Sequence, residues 1–177
     1  MPETPTLAPL ELVDVAGDPT LLRQSFALFP SGVAAMSAVV DGDPVVLVAS
    51  SFQVGISADP PLVLFAVQHT STSWPLLRTR GRLGVSVLGD AHEAAARQLA
   101  STAPERFAGI ETTTLANGAH FIRGAPVWLE CSVHDEVRAG DHDVVLLEVH
   151  AMGNAPDTEP LVWHGAGFRS LTPRARA

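Results

Sequence analysis

The sequence predicts a mainly β fold: an antiparallel barrel with helices inserted between its strands. Three observations carry this. Apolar β-runs follow one another through short turns such as Asp41-Gly42-Asp43. Helical patterns interrupt the β-runs instead of alternating with them, which argues against a parallel α/β sheet. From Val127 to Val137 the chain alternates, with Val127, Leu129, Cys131, Val133 and Val137 on one phase and Trp128, Glu130, Ser132, His134 and Glu136 on the other.

Residues 1–17 hold three prolines and no periodicity, and are read as a flexible arm. Asp18-Pro19 is an N-cap followed by proline at the first helical position. Leu21, Leu22, Phe26, Leu28 and Phe29 then lay an apolar stripe on a helix that Pro30-Ser31-Gly32 ends. Val33 to Val40 is a strand, and Pro44 to Ser51 a second whose unbroken Val45-Val46-Leu47-Val48 run implies cover on both faces. Asp59-Pro60-Pro61 breaks the chain before a strand from Leu62 to Val67. Ser73 to Arg80 suits a short helix, Leu83 to Leu88 a strand, and Ala91 to Ala100 an alanine-rich helix. Glu105 to Gly118 reads as irregular. The alternating strand bends through Arg138 to His142 and returns from Val144 to His150. Leu161 to His164 and Phe168 to Leu171 close a domain over residues 18–172, with a tail at 173–177. The total is about seven strands and three helices.

Composition narrows the chemistry. The chain has 177 residues, 46% hydrophobic and 17% charged, enough for one core and unlike a disordered chain. All 11 cationic side chains are arginine, which excludes a lysine Schiff base and a P-loop lysine. A net charge of −8 argues against nucleic acid or an anionic membrane as partner. The acidic N-terminal stretch does not read as a secretory signal, and the longest uncharged apolar-rich run, Pro44 to Ala58, is too short and too polar to span a bilayer. A cytoplasmic protein is expected. One cysteine, Cys131, permits no intrachain disulfide and is expected to be inert core. The seven histidines show no metal-ligand spacing, so no metal site is expected. Gly-Xaa-Ser-Xaa-Gly is absent, and Gly165-Ala166-Gly167 is not a dinucleotide fingerprint.

Seven segments occur in order: FPSGVAAMSAV (Phe29 to Val39), VASSFQVGISADPPLVLFAV (Val48 to Val67), STSWPLL (Ser71 to Leu77), RFAG (Arg106 to Gly109), WLEC (Trp128 to Cys131), AGDHDVVLLEV (Ala139 to Val149) and LVWHGAGFRSL (Leu161 to Leu171). Together they resemble the short-chain flavin reductases, the small components of two-component flavin monooxygenases. The resemblance implies a split β-barrel that binds FMN or FAD and oxidises NADH or NADPH. It also implies a homodimer that passes reduced flavin to a separate monooxygenase. A split-barrel protein that binds a flavin or another planar ligand without oxidising NAD(P)H is the alternative.

The resemblance also implies where the flavin sits. Val48-Ala49-Ser50-Ser51 has small side chains that let the backbone approach a flat ring. Ser71-Thr72-Ser73 offers hydroxyls and free N–H groups to a phosphate, with Gln68 nearby. Ser31, Ser57, Trp163 and Arg169 are further cofactor contacts on this reading, and Arg106-Phe107 a lid with Phe107 over the rings and Arg106 toward a pyrophosphate. His142 is the residue expected to face the nicotinamide. The chain departs from the family pattern in three places: Val48 stands for a usual Thr, Val54-Gly55-Ile56-Ser57 for a Ser-Val-Ser run, and Gln68-His69-Thr70 for a loop with Arg or Lys. Either His69 supplies the missing charge, or Arg78, Arg80 or Arg82 does.

Overall fold

The structure, a computed structural model, describes residues 10–15 and 17–171. The rest of the arm at 1–17 and the tail at 173–177 lie outside the described residues. Helix α1 (Pro19–Ala27) starts where the sequence places it, with Asp18 Oδ1 accepting from the Thr20 and Leu21 N–H groups at 2.9 Å. None of its residues is buried: Leu21 and Leu22 of the predicted apolar stripe are half-buried, and Phe26, Leu28 and Phe29 are exposed.

Seven strands form one antiparallel sheet: β2 (Ala34–Val40), β3 (Asp43–Ala49), β4 (Gln53–Ala58), β5 (Pro61–Gln68), β6 (Leu83–Val87), β9 (Val127–Ala139) and β10 (His142–Asn154). Their order is β3-β2-β6-β9-β10-β5-β4. The one-turn helix α2 (Trp74–Leu77) follows β5, and α3 (Glu93–Leu99) follows β6. Short strands β7 (Thr112–Thr114) and β8 (His120–Ile122) pair with each other, while β1 (Ser31–Gly32), β11 (Val162–His164) and β12 (Gly167–Arg169) form a small third sheet.

The sheet curls around Met36, Phe65, Leu83, Val85, Cys131, Val145 and Leu147, with Trp74 and Leu77 of α2 as a plug. Phe65 and Trp74 meet edge to face at 5.1 Å. Strand β2 is buried on both faces, because Ala35 turns outward to a second cluster with Val46, Leu88, Ala96, Leu99 and Ile122. That cluster seats α3. Cys131 lies on the core phase as expected, and burial pushes its thiol up to about 12.

The sheet's two ends, β3 and the β5–β4 pair, do not join through backbone bonds. Ser51 spans the gap: its Oγ donates to Ala66 O and accepts from Ala66 N, both at 3.0 Å. The split-barrel expectation holds, and the split is at this seam. Ser51→Ala is expected to lower stability by about 1 kcal/mol, measured by thermal melting, while Ser50→Ala leaves it unchanged.

Hairpin β7–β8 lies across the sheet on a shelf of small residues. Ser37 Oγ donates to His120 O at 2.7 Å, Ser86 Oγ accepts from Ile122 N at 2.9 Å, and Gly84 lies beneath His120. The His120 ring is buried, with Nδ1 2.7 Å from Thr114 Oγ1 and no partner at Nε2. Burial lowers its pKa below 6.5. The folded state therefore favours the neutral ring, and the unfolded chain binds more protons once pH falls below 6.5. This contribution to stability is full above that value and is lost on acidification. His120→Gln is expected to flatten the fall in melting temperature between about pH 7 and pH 5; an identical slope in both proteins would contradict this.

Candidate functional site

A cavity of about 630 Å³ opens at the split, between the β3 end of the sheet and the β5–β10 end. That size suits a small-molecule ligand. One wall is Val46 to Ser51, where the chain leaves β3. The other is Ala66, Val67 and Gln68 at the end of β5, with His142 at the start of β10. Thr70 to Ser73 and Leu99 to Thr102 close the remaining sides with six hydroxyls, joined by Arg106.

The structure thus brings together Val48, Ala49, Ser50, Ser51, Gln68, Ser71, Thr72, Ser73 and His142. His142 is not in a bend: the turn is only Gly140-Asp141, and His142 pairs with Gln68 as the first residue of β10. The long hairpin of β9 and β10 carries it to the cavity, and the strand fixes its direction. Asp141 Oδ1 lies 2.7 Å from His142 Nδ1. A carboxylate there can only accept, so Nδ1 carries the hydrogen and Nε2 is left for a ligand. The same bond is the main cause that holds the exposed Asp141 carboxyl below its usual range.

Other expected residues lie elsewhere. Ser31 and Trp163 line a neighbouring groove of about 1160 Å³, which shares Ser50 and Ser51 with the cavity. Ser57 is in edge strand β4 opposite Leu62, and Arg169 is exposed in β12. Phe107 is not placed as a lid over the cavity. It packs against the second core cluster and meets His120 edge to face at 4.9 Å.

Of the side chains expected to bring positive charge, Arg106 lines the cavity and the others do not. His69 turns to Asp143, with Nε2 3.0 Å from Oδ1. Arg78 pairs with Glu136, Arg82 with Glu130 at 3.2 Å, and Arg80 bonds Thr79. None of these lines the cavity, and α2, a single turn, has no appreciable dipole to compensate. Arg106 does line the cavity. Its Nη1 donates to Val46 O at 3.0 Å and Leu99 O at 3.4 Å, and its Nη2 to Ser73 Oγ at 3.1 Å. Proximity of Arg106 to Ser73 could not be read from sequence, since the two are 33 residues apart.

The cavity at the split thus sets small residues on one wall, a carboxylate-oriented imidazole on the other, and an arginine among hydroxyls. Residues 26–172 match the flavin reductase like domain, and the chain belongs to that family. It is 31% identical to a flavin reductase of Pseudomonas putida, over 89% of this chain and 93% of that protein. It is 36% identical to the actinorhodin polyketide dimerase of Streptomyces coelicolor, over 92% of each. Among solved structures, the NADH:FAD oxidoreductase SgcE6 of Streptomyces globisporus C-1027, in complex with NAD and FAD fragments, superposes with a TM-score of 0.86 at 34% identity. That match covers 94% of this chain and all of the other.

Proposed function

We propose that this protein is an NAD(P)H-dependent flavin reductase that supplies reduced FMN or FAD to a partner monooxygenase. The observation that carries this is the cavity at the split, which joins small-residue backbone, the His142 imidazole and the Arg106 guanidinium in one space. Bound flavin would accept a hydride from the nicotinamide and carry it away as reduced cofactor. The chain's own part is binding and orientation. Val48 to Ser51 give the rings a flat wall, Ser71 to Ser73 and Arg106 hold the phosphate, and His142 Nε2 orients the nicotinamide carboxamide. No strong acid or base is needed, since positioning two rings accounts for the acceleration. The relatives support this reading: one is the reductase subunit of a flavin-dependent monooxygenase from Rhodococcus jostii, another an NADH:riboflavin 5′-phosphate oxidoreductase from Streptomyces pristinaespiralis. A lone cysteine buried as a free thiol fits the reducing cytoplasm. Among the described residues, no helix is long and apolar enough to cross a membrane.

Oxidation of NADH and NADPH under air, with FMN and FAD added in turn, tests the reading. Turnover that needs both substrates is expected. Flavin binding with no NAD(P)H oxidation would leave only a flavin-binding protein.

The working form on this reading is a homodimer. Phe26, Phe29 and Val54 are exposed by 69%, 72% and 57%, and all three line the groove that shares Ser50 and Ser51 with the cavity. An apolar surface beside the ligand site is what a second copy would cover. Light scattering is expected to give twice the chain mass at micromolar concentration, and Phe26→Asp with Phe29→Asp to give monomers with weakened flavin binding. A wild-type monomer would overturn the two-chain site.

A further inference from the structure

We propose that Gln98 is the positioning residue that makes Arg106 a preformed anion anchor, and that through it the site prefers phosphorylated flavins to riboflavin; this rests on the flavin reading above. Among the described residues lining the cavity, Arg106 is the one side chain with a fixed positive charge. Its Nη1 hydrogens go to the Val46 and Leu99 carbonyls and one Nη2 hydrogen to Ser73. A guanidinium has five N–H donors, so Nε–H and one Nη2–H remain for a ligand. These bonds fix the side chain before anything binds, and removing that ordering cost from binding is the source of affinity in a preorganised site.

The backbone of Arg106 belongs to neither helix nor strand. What fixes it is α3. The Gln98 amide donates from Nε2 to Arg106 O at 3.0 Å and to Ala108 O at 2.8 Å, spending both hydrogens on this loop. The loop's own turns, Ala108 N to Glu105 O and Ile110 N to Phe107 O, are local and set its shape but not its place on the barrel. Phe107 anchors it in the second core cluster, and Gln98 sets the height at which the neighbouring guanidinium enters. Because His69 is turned to Asp143, outside the cavity lining, no second cation shares the load. Losing Gln98 should therefore be felt at the phosphate and not at the rings.

Calorimetric titration of the full chain with FMN and with riboflavin, which lacks the phosphate, tests this. The wild type is expected to bind FMN more tightly. Gln98→Ala, and Gln98→Glu, which keeps the volume but cannot donate, should each weaken FMN about tenfold and leave riboflavin within about twofold. Riboflavin binding also reports that each variant is folded. Arg106→Ala should abolish the preference, and Gln98→Ala added to it should cost FMN nothing more. Equal weakening of both flavins would make Gln98 merely structural, and unchanged FMN affinity would overturn the proposal outright. A wild type that binds both flavins equally would remove the anchor but leave the flavin reading standing. A wild type that binds neither would overturn both.

Discussion

Gly84→Ala is expected to destabilise the protein by about 3–5 kcal/mol, among the largest effects any single methyl can have here. A Cβ at Gly84 would sit 2.1 Å from His120 O and 2.8 Å from its carbonyl carbon. Both are backbone atoms, so no side chain can rotate to make room. Gly84 is locked from the other side as well, paired with Ser37 of β2 and Glu130 of β9. Lifting β8 would break the Ser37 bond to His120 O and the Ser86 bond to Ile122 N, and both of these shelf side chains are buried. Gly81→Ala is the matched control, since nothing lies within 4 Å of its Cβ position. Urea denaturation should show the loss at position 84 and almost none at 81. A cost at Gly84 below about 1 kcal/mol would mean that the hairpin floats on the sheet and is not held by it.

The Gly84 shelf marks the limit of what periodicity reveals. The strands of the main barrel carry strong local patterns. Val45 to Val48 reads as doubly covered because Val46 faces the α3 cluster while Val45 and Leu47 face the barrel. The Val127 to Cys131 alternation puts Leu129 and Cys131 inside, as their phase requires. Four strands left no such mark. β4 is an edge with a register shift and Gly55 at φ 76°, so its Val54 and Ile56 face solvent and do not alternate with a core. β1, β7 and β8 have only two or three residues each, too short for any period to show. Their place is set by contacts distant in sequence, such as the hydroxyls of Ser37 and Ser86 standing in for strand pairing.

The site divides in the same way. One wall and one further side come from segments whose small or hydroxyl-rich character is visible locally: Val48 to Ser51 and Ser71 to Ser73. Its charge is legible only through the resemblance, which directs Arg106 toward a pyrophosphate. The loop before α2 offers His69 as the nearest candidate, but Asp143 stands at 3.0 Å and takes it. Arg78 and Arg82 are drawn to Glu136 and Glu130 on β9, which passes close to α2 and β6. Arg106 succeeds because the Phe107 side chain beside it is committed to the core, which leaves the arginine to point the other way. The same commitment explains why Phe107 does not act as a lid: an aromatic ring packed against the second core cluster and His120 gains more from staying buried than from swinging over a cavity.

His142→Ala is expected to lower kcat/KM for NADH about ten- to a hundredfold while flavin affinity stays within about threefold. The reason is a separation of walls. Flavin contacts on the proposed reading run along Val48 to Ser51 and down to Arg106, on the β3 side of the split. His142 stands on the other side, at the start of β10 opposite Gln68. Its ring is held by Asp141 at 2.7 Å, so Nε2 can hold a carboxamide without first losing rotamer freedom. Losing that oriented bond removes transition-state positioning and leaves the flavin wall intact. Asp141→Asn should fall between wild type and His142→Ala, because an amide in place of the carboxylate weakens the bond that selects the tautomer but leaves the imidazole present. Steady-state kinetics with NADH, beside flavin titration of the same variants, separates the outcomes. A His142→Ala enzyme with wild-type kcat/KM would make the imidazole a bystander on the cavity rim. A variant that loses flavin affinity while keeping its nicotinamide kinetics at saturating flavin would move the flavin to the β10 wall and the nicotinamide to the β3 wall.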